Sequence, residues 1–190
     1  TKLRWFMLGG GGAAAGVVGL LLFSDKMEYA LSRVQHWFDP FIDAQGDGFQ
    51  TIQSLYAIGS GGLLGEGLGG SKQKHLYIPE PQNDFIFSIT CEELGFIGAV
   101  VVILLFALLV WRGIVIAIRT KDKFGSLLVL GITVQVGIQA ILNIAVVTNT
   151  IPNTGISLPF FSYGGTSLLM LLAQMGVILN VSRSANLEKT

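Results

Sequence analysis

The sequence has 190 residues, of which 51% are hydrophobic and only 13% charged, with 25 glycines and a formal net charge of zero. With a mean hydropathy of +0.63, this balance excludes a soluble domain of ordinary composition and offers nucleic acid no basic surface. It suits a multi-span membrane protein, in which small residues let helices approach closely.

The first expected span covers about residues 3–23, where Gly9 to Gly12, Gly16 and Gly19 make a small-residue packing face. No small-residue cleavage pattern follows it, so no signal peptide is expected, and the start at Thr1-Lys2 suggests a piece of something longer. Met27, Ala30, Leu31, Val34, Trp37 and Phe38 then recur at helical spacing, opposite Lys26, Glu28, Ser32, Arg33 and Gln35. That segment is too short and too polar to span; it predicts an amphipathic helix on the membrane surface, stopped by Asp39-Pro40. Phe49 to Ile58 repeats the idea, with Phe49, Ile52, Leu55 and Tyr56 on one side and Gln50 and Gln53 near the other.

Gly59 to Gly70 reads GSGGLLGEGLGG and contains the spacing GxGxxG at Gly65, Gly67 and Gly70. No strand precedes it and no βαβ unit surrounds it, which excludes a dinucleotide fingerprint. A glycine-rich loop can still aim backbone N–H groups at an anion, and Lys72 and Lys74 follow directly; a flexible loop with two solvated lysines is the alternative. His36 and His75 stand alone and Cys91 is the single cysteine, so neither a metal site nor a disulfide framework is expected.

From Asp84 an unbroken helix pattern runs to about Arg119, giving a second span at about residues 90–118 with an apolar core from Leu94 to Val110. Asp84, Glu92 and Glu93 are then expected in the interface or a water-filled cavity. An acidic group at the mouth of a span is costly unless used or satisfied, so Asp84 is either a helix cap or a chemical group. A polar turn with Arg119, Lys121 and Lys123 leads to a third span at about 125–148, which carries a polar stripe of Gln135, Gln139 and Asn143. Interhelical hydrogen bonding is the default reading of that stripe, and the lining of a polar cavity the sharper one. A loop over about 149–165, NTIPNTGISLPFFSYGG, can dip back into the membrane only where protein or water satisfies its backbone, and the last span covers about 166–182.

The expected fold is therefore all-α: a polytopic membrane helix bundle with four transmembrane helices and a large extracytoplasmic loop, about 24–89, containing short amphipathic helices. Four spans place eight basic residues on the side of the termini against four on the other. Both termini are accordingly expected in the cytoplasm, and Asp84 outside the plasma membrane.

Several ordered motifs carry a resemblance: FDP from Phe38, GFQTIQSLYAIGSGGLLGEGLG from Gly48, SKQKHLYIPEPQNDFIF from Ser71, EELGFIG from Glu92 and IPNTGISLPFFSYGGTS from Ile151. Together they resemble the SEDS family (shape, elongation, division and sporulation), most of all its FtsW and SpoVE branch. The resemblance implies a peptidoglycan glycosyltransferase that polymerises lipid II into nascent glycan outside the cytoplasmic membrane. It also implies a class B penicillin-binding transpeptidase and other division proteins as partners, and a ten-span protein of which this chain matches the last four spans, a part not expected to be active alone.

The family's essential aspartate, in the pattern PE-x-x-x-D, falls on Asp84. The middle of the pattern reads Pro81-Gln82-Asn83 where many relatives have His and Thr before the aspartate, which sets a neutral amide beside Asp84. The resemblance makes Asp84 the general base and Lys72, Lys74, Glu80, Gln53, Ser162 and Tyr163 candidate substrate contacts. A divalent cation, magnesium or manganese, would share the stabilisation of the leaving pyrophosphate, though no motif specifies one. A lipid-linked sugar flippase and a non-catalytic division scaffold are the competing classes.

Overall fold

The computed structural model describes residues 32, 34–35, 37–44, 46, 48–71 and 83–185. The chain divides into two units, residues 1–48 and 49–190. The first expected span and the first turns of the first amphipathic helix lie outside the described residues.

In the first unit the helical residues end where Asp39 N–H donates to the Gln35 carbonyl at 3.0 Å. Asp-Pro stops the helix as expected. Pro40 cannot donate a backbone hydrogen bond, and the Asp39 carboxylate accepts instead from Phe41 N–H, opening a 3-10 helix over Pro40–Asp43. The apolar side chains Phe38, Phe41 and Ile42 stay exposed, as a segment lying on a membrane requires.

The second unit is a helix bundle: α1 (Phe49–Ser60), α2 (Ile86–Arg119), α3 (Lys123–Val147) and α4 (Gly165–Ser182). Of these, α2, α3 and α4 are long and apolar enough to cross a membrane. No strand occurs among the described residues. Much of the three helices' apolar surface is exposed, Leu105 and Trp111 among it, as expected of helices covered by lipid or by further spans.

The short polar turn folds α3 back onto α2. Asp122 caps α3 by accepting from Gly125 N–H at 2.7 Å, and Ser126 Oγ donates to the Ala117 carbonyl at 2.6 Å. Packing between α2 and α3 depends on small residues: a Cβ on Gly113 would stand 2.2 Å from Thr133 Oγ1, so only glycine permits this approach. One core patch, Phe85, Phe87, Val102, Phe106, Val136 and Leu158 among it, gathers the start of α2, the middle of α3 and the loop after α3. A second, with Ile116, Val129 and Ile178, closes the end at the α2–α3 turn.

The buried positions of α1 are Ile52, Ser54 and Ala57, whereas Leu55 and Tyr56 are exposed; small residues let α1 sit close to the bundle, and Ser54 Oγ donates to the Val147 carbonyl at 3.0 Å. One expectation is corrected: α2 is not unbroken. Gly95 has φ 68° and ψ −170°, a conformation essentially confined to glycine, and it interrupts the helix three residues after Glu92.

The break is filled by the glycine-rich loop. Glu66 N–H donates to the Glu92 carbonyl (2.9 Å) and Gly67 N–H to the Glu93 carbonyl (3.0 Å), while Phe96 N–H donates to the Gly62 carbonyl (2.9 Å) and Ile97 N–H to the Leu63 carbonyl (3.3 Å). The carbonyls and N–H groups orphaned by the break thereby find partners, as backbone at membrane depth must. Close approach explains the glycines: a Cβ on Gly65 would lie 2.2 Å from the Glu93 carbonyl oxygen, and one on Gly61 would lie 2.1 Å from that of Cys91.

Candidate functional site

The start of α2, the end of α3 and the loop after α3 meet around Asp84. Phe85 occupies the cap position of α2 and makes no side-chain cap bond; Asp84 stands one residue before it, partly exposed. Its backbone is fixed from α3. Asn143, fully buried, donates from Nδ2 to the Asp84 carbonyl and to the Ile156 carbonyl, both at 2.7 Å. One turn earlier, Gln139 Nε2 donates to the Ser157 carbonyl at 3.1 Å. The stripe on α3 therefore joins two loops: two of its amides bond loop carbonyls, and Gln135 at its far end is exposed. This differs from the expected helix-to-helix bonding, because a carbonyl in irregular backbone has no helical partner and needs a side-chain donor.

Residues 153–158 thus form one wall of the site. Gly155, at φ 66°, is turned by a hydrogen bond from its N–H to Asn153 Oδ1 (3.1 Å). A Cβ placed there would lie 3.5 Å from Asp84 Oδ2, which puts the carboxylate directly beside this turn. The loop leaves α3 through a Schellman-type end: Asn149 adopts φ 55°, its N–H donates to the Val146 carbonyl (2.9 Å), and Thr150 N–H donates to the Ala145 carbonyl (2.8 Å). It returns through a turn in which Ser162 Oγ accepts Leu158 N–H at 2.7 Å. Within that turn Phe160 is held at φ 66°, costly for an aromatic residue at about 1–3 kcal/mol and sustained by burial of Leu158 and Pro159 immediately before it.

The remaining candidate residues fall as follows. Ser162 locks the turn just described, and Tyr163 beside it is 77% exposed. Gln53 is half-buried on α1, next to Ser54, whose bond to Val147 brings α1 to the same end of α3 as Asn143. Lys72, Lys74 and Glu80 lie outside the described residues. The glycine-rich loop spends the N–H groups of Gly61, Gly65, Glu66, Gly67 and Gly70 on protein carbonyls, so these five are committed within the protein rather than aimed at an anion. Among the described residues no group of three or more His, Cys, Asp or Glu could hold a metal ion.

Sequence reasoning missed the environment of Glu92. Expected at an interface or in water, it is 1% exposed and its carboxylate accepts the Ser71 hydroxyl, which is also buried. That bond fixes the chain where it leaves the glycine-rich loop, as Asn143 fixes it where it re-enters at Asp84.

The family model of the cell cycle proteins FtsW, RodA and SpoVE matches residues 2–187. This chain belongs to that family. Relatives in the FtsW/RodA/SpoVE family include the stage V sporulation protein E of Bacillus subtilis (strain 168), 54% identical over 169 residues, covering 89% of this chain and 45% of that protein. A probable peptidoglycan glycosyltransferase FtsW of Geobacter sp. (strain M18) is 47% identical over 182 residues, 96% of this chain and 49% of that one.

Among solved structures, a chain of a peptidoglycan synthase complex described as coordinating polymerization and crosslinking matches with a TM-score of 0.67 at 29% identity. It covers 97% of this chain and 50% of its own length. An alanine variant of the rod shape determining protein RodA of Thermus thermophilus matches with a TM-score of 0.54 at 35% identity, over 71% of this chain and 41% of that chain. The chain spans about half the length of the curated FtsW/RodA/SpoVE relatives it matches.

Proposed function

We propose that the protein to which this chain contributes is a peptidoglycan glycosyltransferase, and that Asp84 is its general base. The reading is carried by one observation: a partly exposed carboxylate at the mouth of a membrane span, beside the turn at Gly155 and with its backbone pinned by a buried amide. A group held this way is aimed, which catalysis requires and a merely solvated acid does not.

In the proposed reaction the 4-hydroxyl of an N-acetylglucosamine unit attacks the anomeric carbon of an N-acetylmuramic acid unit. Undecaprenyl pyrophosphate departs, and Asp84 takes the hydroxyl proton. Proton removal by a positioned carboxylate typically contributes about 10²- to 10⁴-fold. Lys72 and Lys74, which follow Ser71 in the sequence, supply positive charge to the departing pyrophosphate; Glu80, Gln53, Ser162 and Tyr163 are proposed contacts for the sugars. The described residues offer a divalent cation no ligand set, and the mechanism has no step through one.

The proposed topology puts the chain ends in the cytoplasm and Asp84 outside the plasma membrane, in a four-span piece whose first span is residues 3–23. Its donor is lipid II, and a class B penicillin-binding transpeptidase and other division proteins are its proposed partners; the structural neighbour described as coordinating polymerization with crosslinking supports the first of these. The flippase alternative is disfavoured because Gln139 and Asn143, the buried or half-buried amides of the α3 stripe, bond loop backbone.

The test is incubation of the full-length protein, with its transpeptidase, with purified lipid II. Glycan strands on a gel are expected. An absence of strands combined with passage of lipid II across liposome membranes would replace the polymerase by a flippase.

A further inference from the structure

The glycine-rich loop carries three large apolar side chains that the site does not use. Leu63, Leu64 and Leu68 are 70%, 80% and 82% exposed. In a loop facing water such a cluster is costly, and neither Gly65 nor Gly67 needs leucine neighbours in order to fill the helix break.

Where this loop stands relative to the bilayer follows from α2. Glu93 and Arg112 bracket an uncharged run, Leu94 to Trp111. At about 1.5 Å per residue its length matches a hydrocarbon layer of about 30 Å, so the boundary on the Ile86 side falls near Glu93. The loop is bonded to α2 at that level and just inside it, Gly62 to Phe96 and Leu63 to Ile97. Phe96 and Ile97 are themselves 62% and 53% exposed. Leu63 therefore continues, through its own carbonyl, an exposed apolar surface at the depth of the hydrocarbon layer.

The backbone is equipped for such a position. Five N–H groups between Gly61 and Gly70 donate to protein carbonyls, and the Gly62 and Leu63 carbonyls accept from α2. Irregular backbone persists at membrane depth only when satisfied in this way. Glu66, exposed between the leucines, holds the loop at the boundary rather than in the bilayer middle.

We propose that Leu63, Leu64 and Leu68 insert into the acyl-chain boundary of the leaflet at the Ile86 end of α2, making the glycine-rich loop a lipid-anchored brace for the break at Gly95. Its partner is membrane lipid, and the inference stands on the membrane-spanning character of α2, independently of the reaction assigned to Asp84.

The test places an environment-sensitive NBD fluorophore on Leu64→Cys and, separately, on Leu68→Cys. The protein is full length, otherwise free of cysteine, with Cys91→Ala, and is reconstituted in phosphatidylglycerol–phosphatidylethanolamine vesicles. Leu105→Cys, exposed in the middle of the uncharged run of α2, and Lys121→Cys in the polar turn serve as references. Doxyl groups placed high on the lipid acyl chains should quench both loop positions at least half as strongly as Leu105→Cys, and aqueous iodide should quench them several-fold less than Lys121→Cys. Iodide quenching equal to that of Lys121→Cys would put the loop in water. Protection from both quenchers would mean that protein covers it. Either result overturns the proposal, and the second loop position keeps the test decisive if one labelled variant fails to fold.

Discussion

Asn143→Ala in the full-length protein removes the two hydrogen bonds that tie Asp84 and Ile156 to α3. Asn143 is fully buried, so no water replaces the lost donor. Hydrogen bonds between side chains and partners in membrane helices average about 0.6 kcal/mol and reach about 1.7. Two of them at 2.7 Å, both to carbonyls in irregular backbone, correspond to about 1–3 kcal/mol. If that energy is spent holding Asp84 in its reactive position, polymerisation should slow by roughly 5- to 150-fold.

The assay is the initial rate of glycan synthesis from purified lipid II across a substrate series, paired with thermal unfolding in detergent. The loss should appear in kcat, with KM nearly unchanged, because the variant misplaces a reacting group rather than a binding surface. Ser54→Ala is the control. It removes a buried bond from α1 to Val147 at the same end of α3 without touching the Asp84 segment, so it should lower the melting temperature and leave kcat near wild type. A folded Asn143→Ala protein with wild-type kcat, or equal kcat losses in both variants, would refute the assignment of Asn143 as the positioning residue of Asp84.

Further outcomes follow from the same contacts. Gly95→Ala places a Cβ 2.3 Å from Gly65 N at a backbone conformation confined to glycine, so a loss of at least about 1–3 kcal/mol is expected, read as a lower melting temperature and as faster proteolysis within Gly61–Gly70; unchanged stability would show that the break is not held as described. Glu92→Gln keeps an acceptor for the Ser71 hydroxyl, whereas Glu92→Leu removes this buried hydrogen bond at a cost of about 1–3 kcal/mol. Thermal melts should therefore rank wild type, Gln and Leu in that order, and a Leu variant as stable as wild type would contradict it. Gly113→Leu drives a side chain into Thr133 and should separate α2 from α3, measured as reduced disulfide trapping between cysteines placed on the two helices; undiminished trapping would refute close packing there.

The long helices α3 and α4 were legible because uncharged runs of that length have one stable fate in a membrane, and both start and stop within two residues of the expected positions. The break at Gly95 was not. Inside EELGFIG a single glycine reads as a tolerated helix residue, and its real conformation depends on a loop some thirty residues earlier whose contacts are all backbone. The same fact hid the purpose of the glycine-rich loop: its spacing imitates an anion cradle, while Gly61 and Gly65 exist to let backbone touch backbone. Periodicity exposed Gln139 and Asn143 as a stripe but not their acceptors, since a carbonyl in a loop has no sequence signature. Asp84 stood out as a candidate for a different reason, namely that a carboxylate at the mouth of a span demands an explanation. Its neighbours Asn143 and Gly155 came only with the fold.

The most direct test of the account compares wild-type and Asp84→Asn full-length protein for polymerisation of purified lipid II, with lipid II binding measured alongside. Asparagine keeps the size and the backbone bond to Asn143 but cannot take a proton, so the account predicts intact folding and binding with glycan synthesis lowered by about 10²-fold or more. Glycan strands made by Asp84→Asn at the wild-type rate would contradict it and leave Asp84 a structural residue at the start of α2.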